Sequence, residues 1–131
     1  MDLGPRPDWA VKAPKGFDKG VWRLRGREGW MRIRRLSKGR WRVRIYAHAP
    51  DRGTATAAPC GLVAEGSFVR GRFVANVVPY EEFGYSVDEN SLKRQNNILV
   101  IDFAPGKAVV EEGTPWGICG LLAEVSGDYV K

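Results

Sequence analysis

The residues best suited to chemistry are arginines that recur at every second position in the first third of the chain. Residues 20–46 contain ten basic side chains and a single acid, Glu28, and Lys38 is the only lysine among them. A guanidinium group binds phosphate or carboxylate through two parallel hydrogen bonds, which a lysine does not. Because the whole chain also has a formal net charge of +6, an anionic partner is expected for this segment.

The spacing of these arginines indicates strands rather than a helix. In segments 21–25, 30–36 and 40–46, tryptophan and aliphatic residues alternate with arginines, and a period of two is typical of a half-buried β-strand. Three antiparallel strands that pair in chain order would carry six guanidinium groups on one outward face. We call these six residues the arginine lattice: Arg23, Arg25, Arg32, Arg34, Arg42 and Arg44.

The lattice has two interpretations. Like charges opposite each other in a sheet are destabilising, so either a partner or neighbouring carboxylates must offset them. In the first interpretation the lattice docks an anionic macromolecule, such as a cell-envelope polyanion, a nucleic acid or an acidic protein. In the second, the arginines are neutralised by carboxylates on adjacent strands. The candidate carboxylates are Glu65, Glu111, Glu112 and Glu124.

Nucleic acid is the less favoured of the anionic partners. Proteins that bind single strands place aromatic rings among their basic side chains, so that bases can stack on them. The predicted strand phase instead points Trp22 and Trp41 inward. Trp30, at the edge of a turn, is the exception.

The sequence gives little support to catalysis. His48 is the only histidine, and the chain has neither a Gly-x-Gly-x-x-Gly nor a Gly-x4-Gly-Lys-Ser/Thr phosphate loop. Two distant cysteines and one histidine are too few to form a zinc site. We therefore expect a non-catalytic binding protein without a metal or a cofactor.

A second candidate site is the connection 79–97, in which aromatic and acidic residues are interleaved. Aromatic rings supply anchors and carboxylates supply steering at interfaces with cationic proteins. The alternative is a covering loop over one end of the fold. The predicted protein-binding residues are Tyr80, Glu81, Glu82, Tyr85 and Asp88.

Short strands separated by glycine-containing turns predict an all-β fold, a small antiparallel barrel of about eight strands. Residues 1–19 are predicted to be an irregular N-terminal arm, with Trp9 and Phe17 as anchors, and residues 20–131 a single domain. No apolar run approaches the roughly 18 residues of a membrane-spanning helix. The predicted core consists of Trp22, Leu24, Ile33, Trp41, Val43, Ile45, Phe68, Phe73, Val77, Leu99, Ile101, Phe103 and Val109.

The two cysteines, Cys60 and Cys119, bear on the compartment. Each is next to a glycine at a predicted strand edge, which favours a disulfide closing a loop of about 60 residues, although two buried thiols are the alternative. A disulfide indicates an oxidising compartment, periplasmic or extracellular. The first residues lack the pattern of a signal peptide, so the chain is either cytoplasmic or has lost a signal.

The C-terminal segment 116–131, with Cys119-Gly120, Ala123 and the Gly127-x-Tyr129 ending, resembles the close of small exported bacterial barrels. Together with the segment around Cys60 it resembles the lysozyme-inhibitor-like periplasmic barrels. That resemblance implies an eight-stranded barrel with a disulfide, a periplasmic location and a protein partner. Because lysozyme is cationic, only the loop 79–97 has the right charge, and a protein inhibitor is therefore the alternative function.

Overall fold

The structure, a computed structural model, describes residues 4–48, 60–82, 85–92, 97–111 and 125–131. Apart from one four-residue helical turn, α1 (Glu89–Leu92), its regular structure is β. The strands are β1 (Trp22–Leu24), β2 (Gly29–Ser37), β3 (Arg40–Ala47), β4 (Cys60–Val69), β5 (Arg72–Val77), β6 (Tyr80–Glu82), β7 (Tyr85–Val87), β8 (Ile98–Ala104), β9 (Lys107–Val110) and β10 (Gly127–Val130).

Eight of these strands form a closed antiparallel barrel, which confirms the predicted fold class. Around the barrel the order is β1, β10, β9, β8, β5, β4, β3 and β2, and β2 pairs back with β1. Barrel neighbours therefore follow the chain, with closure between the first and the last strand. The hairpin of β6 and β7 lies outside the barrel and is inserted, with α1, between β5 and β8.

The alternation read from the sequence gives the barrel its core. Trp22 lies opposite Met31, and Ile33 lies opposite Val43, with all four side chains buried. The other predicted core residues are buried or packed against the core except Val109. Val109 lies opposite Asp102 and Asp128 on the outer face, because Ala108 and Val110 are the buried members of β9.

The N-terminal arm contributes to the core through Phe17. Its ring is buried against Trp41 and Phe103, at centroid distances of 5.4 and 5.3 Å. Two indole groups hold this part of the arm: Trp22 Nε1 donates to the Phe17 carbonyl and Trp41 Nε1 donates to the Asp18 carboxylate. Phe17 is therefore an anchor, as predicted, whereas Trp9 is 48% exposed.

The turns follow the sequence signals. Arg70 and Gly71 join β4 to β5 with φ values of 51° and 82°, the two positive values that a two-residue type I′ hairpin needs. The helical turn α1 begins after Asp88, whose carbonyl accepts a hydrogen bond from the Leu92 amide.

In the described residues, no helix is both long and apolar enough to cross a membrane.

Gly66 lies where the long strand β4 passes very close to β5. A Cβ atom at this position would lie 2.0 Å from the Val74 carbonyl oxygen and 2.5 Å from the Ala75 Cα atom. Gly66 also lies opposite Trp41 and Ala75, so the added atom would meet backbone rather than a flexible side chain. Glycine at this place allows the close approach that a curved barrel wall requires.

We predict that Gly66→Ala lowers the free energy of unfolding by about 2–3 kcal/mol, because either β4 or β5 must shift to admit the methyl group. Urea unfolding followed by tryptophan fluorescence measures the change. Ser67→Ala, at the next residue, is the control and should change stability by less than about 0.5 kcal/mol. Equal unfolding midpoints for Gly66→Ala and the unmodified protein would contradict this account.

Candidate anion-binding site

The register between β2 and β3 places four arginines of the lattice in directly opposed pairs. Arg32 lies opposite Arg44, and Arg34 lies opposite Arg42, at alternate positions on the outer face of the barrel. Arg23 of β1 shares this face and lies opposite Trp30. Four guanidinium groups are thus held close together by strand pairing alone, since opposed side chains in a sheet are about 5 Å apart at Cβ.

The sixth predicted member, Arg25, lies just beyond the end of β1. Its side chain is exposed, and its backbone amide donates to the Asp128 carbonyl at 2.9 Å. Arg25 therefore extends the basic surface toward the β1–β2 turn and has no directly opposed arginine in the strand pairing.

Only part of the lattice is neutralised by neighbouring carboxylates. Arg42 Nη2 lies 2.6 Å from Glu65 Oε2, and Glu65 is directly opposite Arg42 on β4. Within the described ranges, Arg23, Arg32 and Arg34 form no ion pair. The positive charges of Arg23, Arg32 and Arg34 are therefore not offset by an ion pair in the part of the chain that the structure describes.

An aromatic side chain lies among the arginines. Trp30, on β2, points to the outer face, and its indole stacks on the ring of Tyr46 with centroids 6.2 Å apart and planes inclined by 24°. Both side chains are half-buried. Residue 30 shares the phase of Arg32 and Arg34, so the alternation of the strand implies this outward position.

Trp30 and the arginines line one open cleft of about 350 Å³. Its walls combine an indole, three guanidinium groups and one aliphatic side chain, and this volume is within the range of small-molecule sites. Such a lining offers charge for phosphate or carboxylate groups together with a flat apolar surface. The lining residues are Val21, Arg23, Trp30, Arg32 and Arg44.

Tyr46 is itself in contact with His48, which lies two residues further along the chain, just beyond the end of β3. The Tyr46 hydroxyl is 3.3 Å from His48 Nε2, and the two rings meet edge to face at 5.5 Å. His48 Nε2 is in turn 3.6 Å from the Glu28 carboxylate. His48, the only histidine of the sequence, therefore contacts the side chains of both Tyr46 and Glu28 beside the stacked rings.

The predicted protein-binding loop is described in part. Tyr80 is buried, and its hydroxyl donates to the Gly61 carbonyl at 2.7 Å, so this side chain fastens β6 to the barrel. Glu81 and Asp88 are exposed. The side chains of Glu82 and Tyr85 lie outside the described part of the structure.

One buried ionic cluster was not predicted from the sequence. Arg72 of β5 makes a two-pronged contact with Asp102 of β8, at 2.9 and 2.6 Å, and Asp102 has no exposed side-chain area. Its hydrogen bond to Asp102 raises the pKa of Arg72 despite burial, and Glu111 at 3.5 Å adds to the effect. The signal was an aspartate inside the apolar run of β8.

The candidate metal ligands and the cysteines are not part of the arginine lattice. Over the described ranges, no group of three or more His, Cys, Asp or Glu side chains could hold a metal ion. Cys60 is buried at the start of β4, and the described part of the chain contains no free cysteine. Cys119 lies outside the described residues, as do Glu112 and Glu124.

Arg72 and Arg42 should respond very differently to substitution. We predict that Arg72→Met lowers the free energy of unfolding by about 3–5 kcal/mol, because it leaves the buried Asp102 carboxylate without its partner. Arg42→Met, the control, breaks a more exposed pair and should cost at most about 1 kcal/mol. Urea unfolding compares the two.

A double variant, Arg72→Met with Asp102→Leu, provides the second arm of this experiment. Because it removes both charges, it should be more stable than Arg72→Met alone. If the double variant is less stable than the single variant, the unpaired carboxylate is not the source of the loss.

Comparison with known proteins supplies no relative of this chain. No protein-family model, no curated protein and no solved structure matches it. The resemblance to lysozyme-inhibitor-like barrels therefore stays a prediction, and the function has to be argued from the arrangement of the chain's own side chains.

Proposed function

We propose that this protein is a non-catalytic binding protein that docks an anionic macromolecule through the arginine lattice. The observation that carries the proposal is the opposition of Arg32 to Arg44 and of Arg34 to Arg42 on the outer face, where Arg32 and Arg34 have no ion pair within the described residues. An anion that lies across these strands would replace repulsion with charge-assisted hydrogen bonds.

Three carboxylates on or next to β8, β9 and β10 lie against basic side chains that are not part of the lattice. Asp102 and Glu111 lie against Arg72, and Asp128 lies 3.4 Å from Lys107. These carboxylates thus have cationic partners away from the lattice. A concentrated positive surface remains on β1, β2 and β3, and such a surface speeds the encounter with anions.

The alternative of a protein inhibitor is less well supported by the geometry. Tyr80, the first aromatic residue of the acidic loop, is buried against Gly61 and unavailable as an interface anchor. A cationic target enzyme would also be repelled by the lattice. We therefore favour the anionic partner.

The proposal includes export and a disulfide between Cys60 and Cys119. Cys60 begins β4 with 3% exposure, a protected position of the kind that structural disulfides occupy. A covalent link closing a loop of about 60 residues would stabilise the barrel by about 4 kcal/mol in the chain-entropy model. A structural disulfide of this kind persists in an oxidising compartment.

Thiol titration tests the disulfide. We expect the protein, unfolded in guanidinium chloride without reductant, to show no reactive thiol, and reduction to release both. Two reactive thiols before reduction would remove both the link and the argument for export. Isolation without air or added thiols prevents oxidation or exchange during handling, and a protein with a known free thiol, carried through the same steps, is the positive control.

Binding to heparin and to inorganic polyphosphate tests the docking surface. We predict that Arg32→Gln with Arg44→Gln weakens binding about tenfold or more, since each charge-assisted hydrogen bond contributes on the order of 1.5 kcal/mol. The control, Lys12→Gln with Lys15→Gln, removes the same charge from exposed positions on the arm and should change binding less than threefold.

Stability of the same variants separates binding from folding. Because Arg32 and Arg44 are both exposed, the Arg32→Gln, Arg44→Gln variant should differ from the unmodified protein by less than about 1 kcal/mol in free energy of unfolding. Equal losses of binding in the lattice and arm variants would show that only net charge matters. Absence of binding to either polyanion would overturn the proposed function.

A further inference from the structure

We infer that the anion docked on the lattice is single-stranded nucleic acid, with one base stacked on Trp30 and the flanking phosphates on Arg23, Arg32 and Arg44. This inference rests on the proposed function and specifies its partner. The observation behind it is the cleft in which these four side chains converge.

Charge alone does not account for the composition of the cleft. A purely phosphate or sulfate ligand needs guanidinium groups, but an outward-facing indole in their midst contributes nothing to its binding. A nucleobase has a flat π-face, and stacking on an aromatic side chain strengthens the binding of any of the bases. Trp30 and its arginine neighbours therefore match the two halves of a nucleotide.

The indole has a firm support. Tyr46 stacks against Trp30, and Tyr46 is itself in contact with His48. Both Trp30 and Tyr46 belong to paired strands, β2 and β3, so the platform is fixed by the barrel before a ligand arrives. Little conformational freedom of the rings is then lost on binding.

The same features favour a single strand over a duplex. In a duplex the bases stack on one another and hide their faces, so Trp30 would have no base to contact. An acidic peptide would engage the arginines through carboxylates but likewise offers no base to stack.

Contacts with about three phosphates of a single strand predict a slope of about −2 for log affinity against log salt concentration.

Fluorescence anisotropy with two labelled oligomers tests the inference. One is a ten-nucleotide thymidine oligomer, and the other is an abasic ten-mer with the same number of phosphates. We expect the thymidine oligomer to bind at least about fivefold more tightly, the equivalent of about 1 kcal/mol of stacking. In the Trp30→Leu variant, the affinity for the thymidine oligomer should fall to the level of the affinity for the abasic oligomer. The affinity for the abasic oligomer should not change.

Two further variants are controls for the loss of the Trp30 ring. Trp30→Phe retains an aromatic face and should keep most of the preference for thymidine. Trp9→Leu removes a tryptophan that is 48% exposed on the N-terminal arm and should leave the preference intact. Urea unfolding of all three variants shows whether the barrel is preserved.

The outcomes separate this inference from the proposed function. Equal affinities for the thymidine and abasic oligomers, or tighter binding of duplex DNA or poly-glutamate, would overturn the nucleic-acid inference. If polyphosphate and heparin still bind through Arg32 and Arg44, the proposed function stands. If no polyanion binds, both fail together.

Discussion

Closure of the barrel is the constraint on which the other features depend. Leu24 of β1 lies opposite Tyr129 of β10, and Trp22 lies opposite Met31 of β2, so both edges of the short strand β1 are committed. Successive side chains of a strand point to opposite faces, and a slip of one residue would exchange Trp22 for Arg23 in the core. Burial of an unpaired guanidinium and loss of the indole from the core both oppose that slip. The apolar core and the outward arginines are therefore two consequences of one register.

The barrel treats its arginines in two ways. Arg72 is mostly buried and forms a salt bridge with Asp102. Its guanidinium group therefore has a partner within the fold and is not available to bind a ligand. Arg32 and Arg34 are exposed and face other arginines. Repulsion between exposed charges is small per pair because water screens it, so the fold tolerates the lattice without depending on it. The lattice thus combines a modest electrostatic cost with a high local charge, the combination that the proposed docking of an anion requires.

The fold was predictable because its main signals are local. Alternation in β1, β2 and β3 and the Arg70-Gly71 turn each act over a few residues, and each was correctly interpreted. Val109 was assigned to the core wrongly, because two adjacent valines cannot show which of them faces inward. The hairpin of β6 and β7 was read as part of a long connection, since strands of three residues carry too few alternations to be distinguished.

The candidate site was predictable in charge and less so in geometry. The alternation along each strand predicts that the arginines face outward and that Trp30 lies beside them. The stacking of Trp30 on Tyr46, however, depends on the register between β2 and β3. The pairing of Arg42 with Glu65 depends likewise on the register between β3 and β4. A sequence read one strand at a time contains no information on cross-strand partners. The pairing between strands therefore determines which arginines have a carboxylate partner.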